Sequence, residues 1–133
     1  MARETLPPEL IRFVRNALPD YPSAVLLVLL ARETGRSWDE DSILLRMGPS
    51  FATAEAVQRY VGLFVARGLV LQDPDGRIRY APATEDLRQT VEALAQAYER
   101  HPVTLIRTIY EVSSGAIESF ADAFRWKREE DQP

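Results

Sequence analysis

The stretch Glu55-Ala56-Val57-Gln58-Arg59-Tyr60-Val61-Gly62-Leu63-Phe64-Val65-Ala66-Arg67-Gly68-Leu69-Val70, continued by Leu71-Gln72-Asp73-Pro74-Asp75-Gly76-Arg77-Ile78-Arg79-Tyr80, changes its apolar period in the middle. Before Gly68, Val57, Val61, Phe64 and Val65 return on one face of a helix, while Thr53, Glu55, Gln58, Arg59 and Gly62 lie largely elsewhere. Gly68 is well placed as the left-handed residue that follows a last helical turn. Beyond it, Leu69 to Gln72 reads as a strand, Asp73 to Gly76 as a tight turn, and Arg77 to Tyr80 as an alternating return strand. A two-stranded ribbon is marginal by itself, so its apolar side must lean on the helices before it.

Working back toward the N-terminus, Gly48-Pro49-Ser50 breaks the chain, because proline lacks an amide donor and restricts the residue before it. Upstream, Ser37-Trp38-Asp39-Glu40 has the form of a capping box, which predicts a helix from about Trp38 to Met47 with Asp39, Glu40 and Asp41 at its positive end. Ala24 to Ala31 is a continuous apolar run, far shorter than the roughly twenty residues of a membrane span. Apolar side chains on every side of that helix place it at the centre of the fold, with Ser23 as its expected cap and Gly35 as its stop. Pro7-Pro8 opens a short first helix on the stripe Leu10, Val14, Ala17 and Leu18, which ends before Pro19.

Working forward, Thr84 caps a helix whose stripe is Leu87, Val91, Leu94 and Tyr98. Pro102 interrupts it, Leu105, Ile106, Ile109 and Tyr110 resume helical spacing, and Ile117, Phe120, Ala121 and Phe124 mark a last amphipathic helix before a polar tail. With 133 residues and 46% hydrophobic content, the chain suits one compact unit: residues 1–83 as the core domain and 84–133 as a helical extension packed on it.

The order helix, helix, turn, helix, glycine, strand, acidic-glycine turn, strand is the winged helix-turn-helix arrangement. The fold class expected is therefore mainly α with a small β-hairpin. The segment Glu55 to Val70 is similar to the recognition helix and first strand of MarR-like and related bacterial regulators. Arg77-Ile78-Arg79-Tyr80-Ala81-Pro82, the Pro102-Val103-Thr104 restart and the ending Ser119 to Arg125 resemble a group of small bacterial winged-helix proteins over about residues 21 to 128. Such a likeness implies a fold more than a task. For a DNA-reading member it implies that the helix from Thr53 to Arg67 enters the major groove, with Thr53, Gln58 and Arg59 near base edges or phosphates and Arg77 and Arg79 following the backbone.

Charge weighs against that reading without excluding it. Formal net charge is -4, and the acidity is concentrated after residue 83, where ten acidic side chains face six basic ones. Glu55, Asp73 and Asp75 would meet the polyanion with the wrong sign, and a solvated surface explains the arginines equally well. The second class of function is a protein-interaction module that keeps the fold without DNA contact. Its expected surface, and that of a symmetric dimer, is the stripe Leu87, Val91, Leu94 and Tyr98; the plainer reading is that this stripe covers the chain's own core.

Catalysis is not expected. There is no cysteine, His101 is the sole histidine and lacks carboxylates or a second imidazole at metal-ligand spacing, and no glycine-rich phosphate loop is present. No cofactor or metal is expected. Trp38 is expected as a lid over the helix-turn-helix rather than as a stacking platform. Residues 1–8 lack the order of a secretory signal, which makes a cytoplasmic location the expectation.

Overall fold

Helix α2 (Tyr21–Arg32) carries the apolar run and is the element around which the others pack. In this computed structural model, residues 6–48 and 51–112 are described. Ala24, Leu26, Leu27, Val28 and Leu30 are buried, but Val25 and Leu29 are only half-buried, so the helix is central without being covered on every side as the apolar run predicts. It begins earlier than the sequence predicts. Asp20, not Ser23, is the cap: its carboxylate accepts from the Ser23 amide at 2.9 Å, and Ser23 sits three positions on with its hydroxyl turned back toward Asp20. Pro22 sits in the first turn, where its missing amide costs nothing.

The remaining elements follow in the order α1 (Pro8–Ala17), α2, β1 (Ser37–Trp38), α3 (Glu40–Met47), α4 (Ala54–Ala66), β2 (Val70–Gln72), β3 (Ile78–Tyr80) and α5 (Glu85–Arg100). A further helix, α6, occupies 102–112. Helix α5 packs across α2 and α1, and α4 packs on α3 and β2. The fold is mainly helical with one small antiparallel sheet. The last helix expected around Ile117 to Phe124, and the tail after it, lie outside the described residues.

The sheet has three strands in the order β1-β3-β2, where the sequence predicts only the β2–β3 ribbon. Residues Ser37 and Trp38 pair with Arg79 and Ile78, so the Ser37 capping box does not form. Asp39 takes that role instead, accepting from the Ser42 amide at 2.7 Å, and α3 starts at Glu40. Asp39 and Ser37 are both good caps; pairing with β3 draws Ser37 and Trp38 into extended backbone and leaves Asp39 at the boundary. The third strand also relieves the weakness of an isolated ribbon.

Helix α4 buries Val57, Tyr60, Val61 and Phe64, whereas Val65, assigned to the buried face from spacing, is 41% exposed. Tyr60 takes the inner position because its hydroxyl has a partner: it donates to Asp20 Oδ2 at 2.6 Å, tying α4 to the cap of α2. Burial, followed by the hydrogen bond to the Asp20 carboxylate, pushes the Tyr60 phenol up to about 12. A folded-state value above the ordinary 10.0 means the contribution is complete below pH 10.0 and is lost as pH rises toward about 12. Tyr60→Phe is expected to cost about 2 kcal/mol at neutral pH, the scale of a hydrogen bond to a charged acceptor. Urea unfolding at neutral pH checks the cost, and in an absorbance titration the phenol that ionises near pH 12 in the wild type should be missing from the variant.

Candidate nucleic-acid interface

Helix α4 is held from within, which fixes what it presents outward. Ala54, Glu55, Gln58, Arg59, Gly62, Ala66 and Arg67 are all exposed, one continuous outer face backed by the buried Val57, Tyr60, Val61 and Phe64. Beside it the turn between β2 and β3 projects Asp73, Pro74, Asp75, Gly76 and Arg77, all exposed. Asp73 N donates to the Arg77 carbonyl at 2.8 Å, and Gly76 N to the Asp73 carbonyl at 2.8 Å, so the turn is closed by its own backbone.

The five residues expected to meet DNA have different fates. Thr53 is the cap of α4: its hydroxyl accepts from the Ala56 amide at 3.1 Å. That engages the oxygen in the helix end and leaves its methyl and hydroxyl proton for any outside contact. Gln58 is exposed, but its amide donates to both oxygens of Glu40, at 3.2 and 3.1 Å, across the α3–α4 contact. Arg59 is exposed beside the Tyr60 ring, 5.9 Å from its centroid. Arg77 Nε donates to Ser37 Oγ at 3.0 Å, which pins the turn to β1. Arg79 is exposed at the middle of β3, across from Ser37 on one side and Leu71 on the other.

The surroundings of these arginines are mixed in sign. The bonds from the Ser42 side chain and amide, then the nearby charges of Arg77 and Arg36, hold the Asp39 carboxyl below its ordinary value, so it is ionised beside the turn. Glu40, Asp41, Glu55, Asp73 and Asp75 belong to the same elements, α3, α4 and the β2–β3 turn, that carry or adjoin Arg59, Arg77 and Arg79. Arg36 and Arg46, which the sequence reading passed over, are held over the Trp38 ring and both bond to Glu33.

The partner stripe on α5 is corrected by the structure. Val91 and Leu94 are 0% exposed, packed in the chain's own core against α2 and α1, and cannot also meet a second protein. Leu87 and Tyr98 are half-buried at the edges of the same contact. The spacing identified the apolar face correctly; what covers it is this chain. His101 closes α5, its amide donating to the Ala97 carbonyl at 2.8 Å. Among the described residues no group of three or more histidines and carboxylates is placed to hold a metal ion, and no helix is long and apolar enough to cross a membrane.

Comparison with known proteins adds no relative: no family model matches the chain, and neither a curated protein nor a solved structure matches it.

Proposed function

We propose that the chain is a winged-helix protein that contacts duplex DNA through α4 and the β2–β3 turn, and acts as a transcription regulator. The observation that supports this most is the outer face of α4 from Ala54 to Arg67: its side chains are exposed along its length, none is part of the core, and it lies next to a turn carrying Arg77, with Arg79 exposed on the adjoining strand β3. The order α2, β1, α3, α4, β2, turn, β3, with β1 completing the sheet, agrees with that scaffold. Arginine at Arg59, Arg77 and Arg79 supplies bidentate donors for phosphate or guanine.

A second reading has its own support. Gln58 is occupied by Glu40, Arg77 by Ser37, and the acids of the turn and of α4 set an unfavourable field for a polyanion. On that ground the same scaffold serves as a protein-interaction module without DNA contact.

Salt titration of binding to random duplex DNA separates the two. Three guanidinium contacts predict a slope of log affinity against log salt of roughly −3 per chain, and Arg77→Ala with Arg79→Ala is expected to reduce it by about 2 units. Both side chains are exposed and the double variant gives up one exposed hydrogen bond, Arg77 to Ser37, so it should lose no more than about 1 kcal/mol of stability. A flat or absent salt response removes the DNA reading and leaves the interaction module.

A further inference from the structure

On the side of α2 formed with the end of α3 and with α5, a groove of about 430 Å³ opens to solvent. Its floor is Val25, Val28, Leu29 and Met47, and its walls are three aromatic rings brought together from separate parts of the chain. Tyr21 and Tyr98 lie stacked at 6.4 Å, and Phe51 meets Tyr21 edge-on at 6.3 Å with the ring planes 84° apart. The edge-on pair forms a corner, in which a further ring can stack on one wall and meet the other edge-on. Phe51 is 39% exposed in spite of these contacts, so the cluster is not closed.

The polar part of the lining is of one sign. Arg32 and Arg46 border the groove, and among the described residues no acidic residue or lysine lines it. Both guanidinia are held in place before any ligand arrives. Arg32 lies over the Tyr98 ring, 5.2 Å from its centroid, and bonds Glu99 through one nitrogen; Arg46 lies over Trp38 and bonds Glu33. A guanidinium has five N–H donors, so one carboxylate leaves others unused. Arg32 and Arg46 side chains are 43% and 48% exposed; the Arg32–Glu99 pair is exposed on both sides and contributes little, so a second carboxylate can share or replace Glu99 at low cost, and at Arg46 it can use the donors that Glu33 leaves.

Aromatic, methionine and arginine side chains are the residues that concentrate at the centres of protein interfaces. Here they surround a groove that is open along one side, with its charges at the rim rather than in the depth. That geometry suits a chain segment passing across the groove better than a small molecule, whose surface needs enclosure. We propose that this groove docks an acidic segment of a partner protein, with an aromatic side chain of the segment inserted between Tyr21, Phe51 and Tyr98 and its carboxylates on Arg32 and Arg46. The site is separate from the outer face of α4 and holds whether or not that face meets DNA.

The test uses the full chain and fluorescein-labelled peptides: DEEWLEDE, its neutral counterpart NQQWLQNQ, and DEEALEDE, which lacks the aromatic anchor. DEEWLEDE is expected to bind saturably with one site per chain, and each control about tenfold more weakly, the effect of losing one anchor or one set of charge contacts. Phe51→Ala and Arg32→Gln should each weaken DEEWLEDE about fivefold or more, while Arg15→Gln on the exposed face of α1 should leave it unchanged. Circular dichroism and thermal melting establish that Phe51→Ala is folded. Equal affinity for NQQWLQNQ, or no saturable binding, overturns the proposal. So does concentration-dependent self-association in sedimentation that Phe51→Ala abolishes, since the occupant is then a second copy. Binding of 1-naphthylacetate in the absence of peptide binding likewise assigns the groove to a small molecule and overturns it.

Discussion

Gly68→Val is expected to destabilise the domain by about 3 kcal/mol or more, a loss that combines backbone strain with crowding. Gly68 has φ +74°, a conformation that costs an L-residue about 1–2 kcal/mol and a β-branched one more. It also closes α4 in a Schellman arrangement, with the Leu69 amide donating to the Phe64 carbonyl at 2.9 Å and the Gly68 amide to the Val65 carbonyl at 3.1 Å. A Cβ at this position would stand 3.2 Å from the Ala83 Cβ and 3.8 Å from Leu87 Cδ1, where the start of α5 passes close by. The Ala83 amide donates to the Gly68 carbonyl at 2.8 Å, so the two backbones cannot separate without breaking that bond. Gly76 supplies the contrast: φ is +89°, yet nothing lies within 4 Å of its would-be Cβ. Gly76→Ala should therefore cost only the strain, about 1 kcal/mol. Thermal melts check both, with a fall of roughly 10 °C for Gly68→Val and a small fraction of that for Gly76→Ala. Equal losses at the two sites would show that the approach of α5 has no energetic weight.

That glycine also marks where sequence reasoning succeeds. A change of period from helix to strand across Gly68, and a turn built on Asp73-Pro74-Asp75-Gly76, are local signals, and local signals were legible. The strand at Ser37 and Trp38 was not. Two residues carry no period, and what makes them a strand is their partner Arg79–Ile78, some forty positions away. Tyr60 was missed for the same reason, since its place inside depends on Asp20 at the far end of α2. On α5 the stripe was legible and its partner was not: an apolar face says that something covers it, and only the packing of α2 and α1 says what. Among the candidate DNA contacts, residue type alone could not reveal that Gln58 bonds Glu40 or that Arg77 bonds Ser37, because both are long-range pairs. Of the groove formed by Tyr21, Phe51 and Tyr98 only Tyr98 was marked in the sequence, as part of the α5 stripe, because the three rings come from distant segments.

The other large effect is expected at Trp38, where truncation to alanine should cost about 3–5 kcal/mol. Its side chain is 1% exposed and is the largest of the fully buried set. It is clasped on its faces by Arg36, 3.8 Å from the ring centroid, and Arg46, 5.4 Å away, which Glu33 holds together. Removal of the ring takes away the packing, the platform for both guanidinia, and the anchor that keeps β1 beside Ile78. Phenylalanine should behave differently. The Trp38 Nε1–H is buried and finds no acceptor among the described residues, so Trp38→Phe loses no hydrogen bond and relieves a donor whose desolvation costs about 1–3 kcal/mol. That relief offsets much of the smaller ring's lost packing, and Trp38→Phe is expected within about 1.5 kcal/mol of wild type. Urea unfolding of the two variants measures the difference, and a loss for phenylalanine as large as for alanine would mean that the indole is bonded through its nitrogen. The consequence reaches α4 and the turn, because β1 holds the turn through Ser37 and Arg77, while Arg46 belongs to α3 beneath α4. If α4 and the turn meet DNA as proposed, Trp38→Phe, in which the sheet keeps its third strand, should match the wild type in affinity and salt slope; in Trp38→Ala, assayed well below its melting temperature, the loosened turn should weaken that binding more than Arg77→Ala alone does.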